Sequence, residues 1–329
     1  MILAGDIGGT HSRLAVFSER KGAPDHLEVY PSTDHGSLQE IARAFLTAHP
    51  AELESATFGV AGPVRDGRTA AVNLAWPVDA SAVAHELGME PGSVSVINDM
   101  EANAWGLEAL DADDLAPLND AEPEPGGTVA LVSAGTGLGE AFVTHGPNGP
   151  VAQASEGGHV DFAPRTEVQA ELRAWLARRL DHVSFEQVCS GMGLVNIYAF
   201  LRERASEPEP DWLARKGTTG DEAAAISDAG LARRDPVASD ALDLMVSIYG
   251  AQAGNLALTV LATGGVYLGG GVAPRIAGRL REGGFMEAFT AKGRMSELLA
   301  RVPVRVILND RAALLGAARH AAVCPGEHE

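Results

Sequence analysis

Cysteine is scarce in this chain, and so are the other marks of a secreted or membrane-bound protein. The 329 residues include two cysteines, Cys189 and Cys324, too few for a disulfide framework or a thiolate zinc site. No apolar run approaches the ~20 residues that a membrane-spanning helix needs. The first strand is not preceded by a basic region and an apolar core, so we expect no signal peptide. We therefore predict a cytoplasmic protein without a membrane partner.

Basic residues are also few. The chain has 25 Lys and Arg against 44 Asp and Glu, a formal net charge of −19, which argues against a nucleic-acid partner because such a partner favours a basic face. A nucleotide is still compatible with this charge, since Mg²⁺, backbone N–H groups and helix N-termini can hold its phosphates. With 46% hydrophobic residues, a chain of this length suits two domains.

The first seventeen residues contain a glycine-rich turn, Gly5-Asp6-Ile7-Gly8-Gly9-Thr10, between predicted strands at 2–4 and 14–17. Adjacent glycines permit a tight hairpin and leave backbone N–H groups bare, and a run of bare N–H groups binds anions. The Asp6 carboxylate suits a hard cation such as Mg²⁺ or its waters, and Thr10 adds a hydroxyl donor for a phosphate oxygen. A plain hairpin whose Asp caps the turn would explain the same pattern.

The same pattern returns about 125 residues later. A predicted strand at 128–132 leads into Ser133-Ala134-Gly135-Thr136-Gly137-Leu138-Gly139 and a second strand at 141–144. The segment 111–127 between the two patterns is acidic, contains proline and has no period, as expected of a domain boundary. We predict a smaller domain of residues 1–110, completed by about 302–325, and a larger domain of 111–301.

Two further junctions place polar or flexible residues at strand ends. Asn98-Asp99 follows a predicted strand at 93–97 and precedes a helix at 100–110. Ligands of open α/β sheets lie beyond such strand ends, although an Asn or Asp there can simply cap the helix. Both can hold if one residue caps while its neighbour faces the ligand. Gly269-Gly270-Gly271 separates a strand at 265–268 from a helix that begins at Val272.

Six segments, in order, resemble one known family: GDIGGTHSRLAV, INDMEANAWG, SAGTGLG, EGGHVDFAP, HVSFEQVCSGMGLVNIY and GGVYLGGGVAPR. The chain resembles the sugar kinases of the actin/Hsp70/hexokinase superfamily, and within it the bacterial glucokinase family. The resemblance implies an α/β fold of two actin-like ATPase (ribonuclease H-like) domains, each a mixed sheet flanked by helices, with a cleft between. It also implies a homodimer that phosphorylates D-glucose at the 6-hydroxyl, with ATP and Mg²⁺.

The resemblance also implies a role for particular residues. The two glycine and threonine turns would hold phosphates, and residues 264–273 would form the adenosine motif. Asp99 would be the catalytic base, and Asp6 would hold Mg²⁺, through water. The implied sugar-binding residues are Asn98, Asp99, Glu156, His159 and Glu186. The implied nucleotide-binding residues are Gly5, Asp6, Gly8, Gly9, Thr10, Gly135, Thr136, Gly137, Gly269 and Gly270.

The carboxylates of the implied sugar site suit a hexose. Each hexose hydroxyl both donates and accepts, and Glu156 and Glu186 can each bridge two of them while His159 donates. The glycines between Glu156 and His159 would let these two side chains converge on one sugar edge. Alternatively, Glu156, His159 and Asp161 could ligate a metal.

Glu186 also has a structural explanation. Ser184 and Gln187 form a capping-box pattern that predicts a short helix from Phe185. An acidic residue in the first turn of a helix is favoured by the helix dipole alone. Glu186 would then need no ligand to explain its presence.

Two other functions remain open at this point. The first is a kinase for another hexose, such as fructose, mannose or an N-acetylated sugar. The second is a superfamily ATPase that uses domain closure as a switch, but such a protein has no use for a sugar site. The sequence selects neither the hexose nor the phosphoryl donor, which could be ATP, ADP or polyphosphate.

Overall fold

The computed structural model describes residues 1–19, 22–70, 74, 76–147, 149–208, 210–214 and 222–323. Cys324 and the last part of the predicted closing segment 302–325 lie outside these residues. The chain divides into two compact units. The first consists of Met1–Asp114, Ala141–Ala154 and Asn309–Glu329, and the second of Leu115–Glu140 and Ser155–Leu308. Residues 141–154, which the predicted boundaries assign to the larger domain, are thus grouped with the first unit.

The part of the chain that the structure describes contains both strands and helices, in runs of one to five elements of the same kind. Up to residue 114 they are β1 (Ile2–Ile7), β2 (His11–Phe17), β3 (His26–Pro31), α1 (Leu38–Ala48), β4 (Ser55–Val60), β5 (Val64–Arg65), β6 (Arg68–Thr69), β7 (Val78–Asp79), α2 (Ala80–Leu87), β8 (Val94–Asn98) and α3 (Asp99–Gly106). After it they are β9 (Leu115–Pro117), β10 (Val129–Ala134), β11 (Leu138–Gly146), β12 (Gly149–Ser155), α4 (Glu167–Leu176), α5 (Gly191–Ala205), α6 (Asp211–Ala214), α7 (Glu222–Leu231), α8 (Pro236–Thr259), β13 (Gly265–Gly269), α9 (Val272–Arg275), α10 (Ala277–Leu280), α11 (Gly284–Thr290), α12 (Ser296–Ala300), β14 (Val304–Ile307) and α13 (Ala312–Val323).

The first unit contains a mixed five-stranded sheet in the order β3-β2-β1-β4-β8. Strand β1 pairs antiparallel with β2 and parallel with β4. Successive side chains of β1 point to opposite faces, so Leu3 packs in a core with Phe45 of α1, whereas Ala4 packs with Leu314 of α13. Helices therefore cover both faces of this sheet. A small sheet of the order β5-β6-β7 accompanies it.

The larger sheet has the order β12-β11-β10-β13-β14-β9. Strand β13 runs parallel to β10 and β14, and β9 is antiparallel to β14. Helix α8 packs against this sheet, and the buried hydroxyl of Tyr249 donates a hydrogen bond to the carbonyl of Val132 at 3.0 Å. A Cβ on Gly250 would lie 2.1 Å from the carbonyl oxygen of Phe285, so glycine here lets α8 and α11 pack closely.

No helix within the described ranges is long and apolar enough to cross a membrane. The predicted strands at the start of both glycine-rich hairpins are present, but they are longer than predicted. The first strand continues through Gly5 and Asp6 to Ile7, because each of these residues pairs with both β2 and β4. The turn therefore shortens to residues 8–10.

Candidate active site

The first hairpin turn is held by hydrogen bonds from its own ends and from the segment after β3. Gly8 donates its backbone N–H to the carbonyl of His11 at 2.9 Å, and Ser32 donates its hydroxyl to the carbonyl of Gly8 at 2.6 Å. The backbone N–H groups of Gly9 and Thr10 take no part in these two hydrogen bonds, and the Thr10 side chain is exposed. The tip of the turn can therefore present donors to an anion.

Asp6 lies one residue before the end of β1 and pairs with Arg13 of β2. Nη1 of Arg13 is 3.2 Å from Oδ2 of Asp6, and Nη2 is 3.3 Å from Oδ2 of Asp310. Burial raises the pKa of the Asp6 carboxyl above its ordinary value, although Arg13 opposes the rise. Within the described ranges no group of three or more His, Cys, Asp or Glu side chains could hold a metal. Magnesium bound mainly by phosphates and waters needs only one or two carboxylates, so Asp6 fits such an ion.

The second hairpin shows the same shortening. Ser133 and Ala134 belong to β10, and β11 begins at Leu138, which leaves Gly135–Gly137 as the turn. Gly135 donates its N–H to the carbonyl of Gly137 at 2.9 Å and accepts the N–H of Gly191 at 2.8 Å. The turn is thereby fixed to the first residue of α5, and Thr136 is exposed at its tip.

The third glycine cluster follows β13. Gly269 is the last residue of that strand and pairs with Ser133. Gly270 has φ of +77°, and a Cβ on it would lie 2.2 Å from the carbonyl oxygen of Ala134. Glycine is required there by both conformation and space. Its neighbour Gly271 contributes to the wall of a cavity.

That cavity, of about 770 Å³, lies in the second unit and adjoins the second hairpin. Its walls include Gly135, Thr136, Met192, Ser227, Gly271 and Arg275. Cavities of this size hold ligands of nucleoside size. The first turn of α5 and helix α7 also line it, and α7 is absent from the elements predicted from the sequence. That helix carries no motif, so only the tertiary packing shows its place.

Asn98 and Asp99 occupy the junction of β8 and α3 in the first unit. Asn98 is the N-cap: its Oδ1 accepts the N–H of Met100 at 2.8 Å, and its Nδ2 donates to the carbonyl of Gly62 at 3.0 Å. One Nδ2 hydrogen remains for a ligand. Asp99 is the first residue of α3 and is half-buried. Asn98 therefore caps the helix, which is one of the two roles expected for the Asn98-Asp99 pair.

Three of the predicted sugar-binding residues come together in the second unit. Nε2 of His159 is 3.8 Å from Oε2 of Glu156, and Nδ1 of His159 is 3.9 Å from Oε1 of Glu186. The side chains of His159 and Glu156 are 58% and 66% exposed, whereas that of Glu186 is 18% exposed. One imidazole thus stands between two carboxylates, with two of the three groups open to a ligand.

The short helix predicted from Phe185 is absent, and that prediction was wrong. The backbone N–H groups of Phe185 and Glu186 donate to the carbonyls of Val160 and Gly158, at 3.1 and 2.9 Å. Turn hydrogen bonds follow, and a helix begins only at Gly191, with Ser190 as its N-cap. Because these amides bond to the neighbouring segment, the helix dipole does not account for Glu186.

Strand β11 positions the three groups through backbone contacts. Leu138 donates its N–H to Oε2 of Glu186 at 3.0 Å. A Cβ on Gly158 would lie 1.9 Å from the carbonyl oxygen of Leu138, so the segment between Glu156 and His159 packs directly on the strand. The second hairpin is therefore in direct contact with the segments that carry Glu156, His159 and Glu186.

The alternative of a metal held by Glu156, His159 and Asp161 is not supported. Within the part of the chain that the structure describes, no metal-binding group of three such side chains occurs. Oδ1 of Asp161 instead lies 3.3 Å from Nδ1 of His182.

Comparisons with known proteins agree over the whole chain. The family model described as Glucokinase matches residues 3–323. A glucokinase of Nostoc punctiforme is 40% identical over 339 aligned residues, which cover 98% of this chain and 99% of that protein. A glucokinase of Yersinia pestis is 37% identical and covers 96% of this chain and 94% of its own.

Solved structures give the same result. A glucokinase from an Antarctic psychrotroph has a TM-score of 0.84 and 30% identity, with 99% of both chains covered. A ROK family glucokinase from Streptomyces griseus, in complex with glucose and AMPPNP, has a TM-score of 0.64 at 24% identity and covers 96% of this chain and 97% of its own. At that identity the likeness shows the fold alone. The predicted actin-like α/β fold is confirmed.

Proposed function

The chain belongs to the glucokinase family of hexokinase-type phosphotransferases, and we propose that it transfers the terminal phosphoryl group of ATP to the 6-hydroxyl of D-glucose. The printed names of the relatives support glucose as the acceptor, since they are glucokinases with near-complete coverage. Support for ATP comes from the family and from the paired glycine and threonine hairpins.

The observation that carries this proposal is the approach of Glu156 and Glu186 to His159, each within 4 Å. A hexose edge offers hydroxyls that are both donors and acceptors, and two carboxylates with a flanking imidazole match it. Because Glu186 is also bound to the backbone of the second hairpin, the hexose would be held in register with the phosphate-binding turn.

Asp99 would accept the proton of the attacking 6-hydroxyl, and Asn98 would donate its remaining Nδ2 hydrogen to the sugar. Asp99 is suited to this role by its place at the carboxyl end of a buried strand and at the start of a helix. General-base assistance contributes typically ~10²–10⁴-fold. Positioning and charge neutralisation supply most of the remainder in phosphoryl transfer.

The phosphates would be bound by the tips of the two hairpins, at residues 8–10 and 135–137. The exposed hydroxyls of Thr10 and Thr136 and the turn amides supply donors without any cationic side chain. Asp6 would hold Mg²⁺ through water, and the bound ion would neutralise charge on the phosphate oxygens. The cavity beside Gly135 would receive the nucleoside.

A coupled assay tests the proposal with ATP, ADP and polyphosphate as donors and glucose, fructose, mannose and N-acetylglucosamine as acceptors. We expect ATP with glucose to give the highest kcat/KM. Preference for another hexose would change the proposed acceptor, but the protein would still be a sugar kinase. Rapid ATP hydrolysis that is indifferent to every sugar would overturn it in favour of an ATPase switch.

The cytoplasmic location and the homodimer remain predictions. The homodimer is implied by the resemblance, and light scattering of the purified protein with and without glucose would measure the mass directly. A monomer under both conditions would contradict it.

A further inference from the structure

Glu140 of β11 is a buried carboxyl group that the proposed reaction does not use. It is 1% exposed, and its Oε1 accepts a hydrogen bond from Nε2 of Gln252 at 2.8 Å. Within the described ranges it forms no ion pair. A buried carboxylate without a cation is costly, so its neutral form is favoured. Burial raises the pKa of Glu140 to about 7, although the hydrogen bond from Gln252 opposes the rise.

Glu140 lies directly beneath the segment 155–159, which carries Glu156 and His159 and is called the hexose loop below. A Cβ on Gly157 would lie 2.0 Å from Oε2 of Glu140, so this oxygen packs against the α-carbon of Gly157. The carbonyl of Glu140 accepts the hydroxyl of Ser155 at 3.2 Å, and that hydroxyl accepts the N–H of Gly157 at 3.1 Å. Glu140 thus supports the hexose loop through both its side chain and its main chain.

A chain of amides fixes the donor that faces Glu140. Oε1 of Gln252 accepts Nδ2 of Asn255 at 3.1 Å, and Oδ1 of Asn255 accepts Nζ of Lys292. Lys292 also donates to the carbonyl of Ala251 at 2.8 Å. Because every link runs in the same direction, Gln252 is held with its nitrogen toward Glu140, whichever protonation state the carboxyl has.

Two titratable groups that are fully buried near Glu140 stay uncharged near neutral pH. Cys189 and Tyr249 lie in the same buried region, and burial raises the pKa of each well above its ordinary value. Lys292 is the last group of this series of hydrogen bonds. Its pKa is lowered to about 8, mainly by burial and further by the nearby charge of Arg165. The hexose loop that packs on Glu140 carries two further titratable side chains, Glu156 and His159.

We propose that Glu140 is a positioning residue for the hexose loop: its protonated carboxyl keeps the loop in the sugar-binding arrangement, and loss of that proton weakens hexose binding. The inference rests on the proposed function, since it requires a sugar at Glu156 and His159. An ionised carboxylate with one donor draws water toward it. The hexose loop must move to admit that water, because Gly157 is in contact with the carboxyl group.

Hexose binding should therefore be accompanied by proton uptake. Sugar displaces solvent from above the loop and further disfavours the charged form of Glu140. The affinity for the sugar should then decline as the pH rises through 7. Replacing Glu140 with a side chain that cannot ionise should abolish the decline.

Calorimetry of glucose binding without nucleotide, at several pH values from 6 to 8.5 and in buffers of different ionisation enthalpy, tests this. For the unaltered protein we expect affinity to fall roughly threefold to tenfold across this range, with proton uptake near pH 7.5. Glu140→Gln keeps the acceptor for Gln252 and should bind glucose with little pH dependence and no such uptake. Glu297→Gln, an exposed matched control, should behave like the unaltered protein.

Glucose binding that is independent of pH in the unaltered protein, or an undiminished pH dependence in Glu140→Gln, would overturn the role of Glu140 and leave the proposed function intact. Absence of glucose binding at every pH would overturn both. If Glu140→Gln does not fold, Gln252→Met provides the second test. Removing a hydrogen bond that lowers the pKa of Glu140 should move the decline in affinity to higher pH, and an unchanged midpoint would contradict the inference.

Discussion

The backbone N–H of Leu138 donates a hydrogen bond to Oε2 of Glu186 at 3.0 Å. Leu138, the first residue after the proposed phosphate-binding turn at 135–137, thus holds a carboxylate of the proposed sugar site. A Cβ on Gly137 would lie 2.4 Å from the same oxygen, so glycine at this position leaves room for the carboxylate. The proposed phosphate-binding turn and the proposed sugar-binding carboxylate of Glu186 are therefore both attached to β11, and a displacement of one should displace the other.

Asp99→Asn should leave glucose affinity within about tenfold of the unaltered value while kcat falls by ~10²-fold or more, because an amide cannot accept the proton. Steady-state kinetics and glucose calorimetry measure the two quantities. Glu167→Gln is the control, since it removes an acidic residue from the first turn of another helix, α4, and should leave kcat unchanged. Near-normal turnover in Asp99→Asn would exclude Asp99 as the base.

Gly158→Ala should weaken glucose binding at least tenfold and destabilise the fold by about 1–3 kcal/mol, because the new methyl group would lie 1.9 Å from the carbonyl oxygen of Leu138. Gly278→Ala, on α10, is the control. No atom lies within 4 Å of a Cβ built there, so this change should be neutral or stabilising by up to about 1 kcal/mol. Thermal melts and glucose KM report the difference, and equal effects at both positions would contradict the packing of the hexose loop on β11.

Asp6→Asn should raise the Mg²⁺ concentration for half-maximal rate by roughly tenfold or more, since a neutral amide is a poorer ligand for magnesium and its waters. Asp310→Asn removes the other acidic partner of Arg13 and serves as the control, with an unchanged Mg²⁺ requirement. The measurement is initial rate against free Mg²⁺ at fixed nucleotide. A loss of stability in Asp6→Asn without any change in Mg²⁺ dependence would restrict Asp6 to its pairing with Arg13.

Glu140→Gln should also change how stability depends on pH. The pKa of Glu140 rises from 4.5 to about 7 on folding, so its contribution to stability is complete below pH 4.5 and is lost as the pH rises to about 7. Between pH 5 and pH 8 the unaltered protein should therefore lose about 2 kcal/mol relative to Glu140→Gln. Urea unfolding of both proteins at the two pH values gives the difference. A constant difference would mean that Glu140 does not titrate in this range.

The resemblance to a known family implied the actin-like fold class and the sugar-site residues Glu156, His159 and Glu186, whereas local residue preferences predicted both glycine-rich hairpins and the polar pair Asn98-Asp99. The hairpins and the polar pair depend on short-range chemistry, such as glycine in tight turns and polar residues at strand ends, which is readable from neighbouring positions. Only the tertiary structure decided that the capping-box pattern at Ser184 forms no helix, because the amides of Phe185 and Glu186 bond to residues 158–160 instead.

The same limit explains why the surroundings of Glu140 and the cavity wall formed by α7 could not be predicted from the sequence. A single acidic residue in an apolar strand gives no indication of what lies above it, and α7 has no motif. The hydrogen bond between Gln252 and Glu140 joins residues 112 positions apart, and the amide chain continues from Gln252 to Lys292. Long-range packing sets the electrostatic cost of a charge, and for that reason no local pattern in the sequence encodes it.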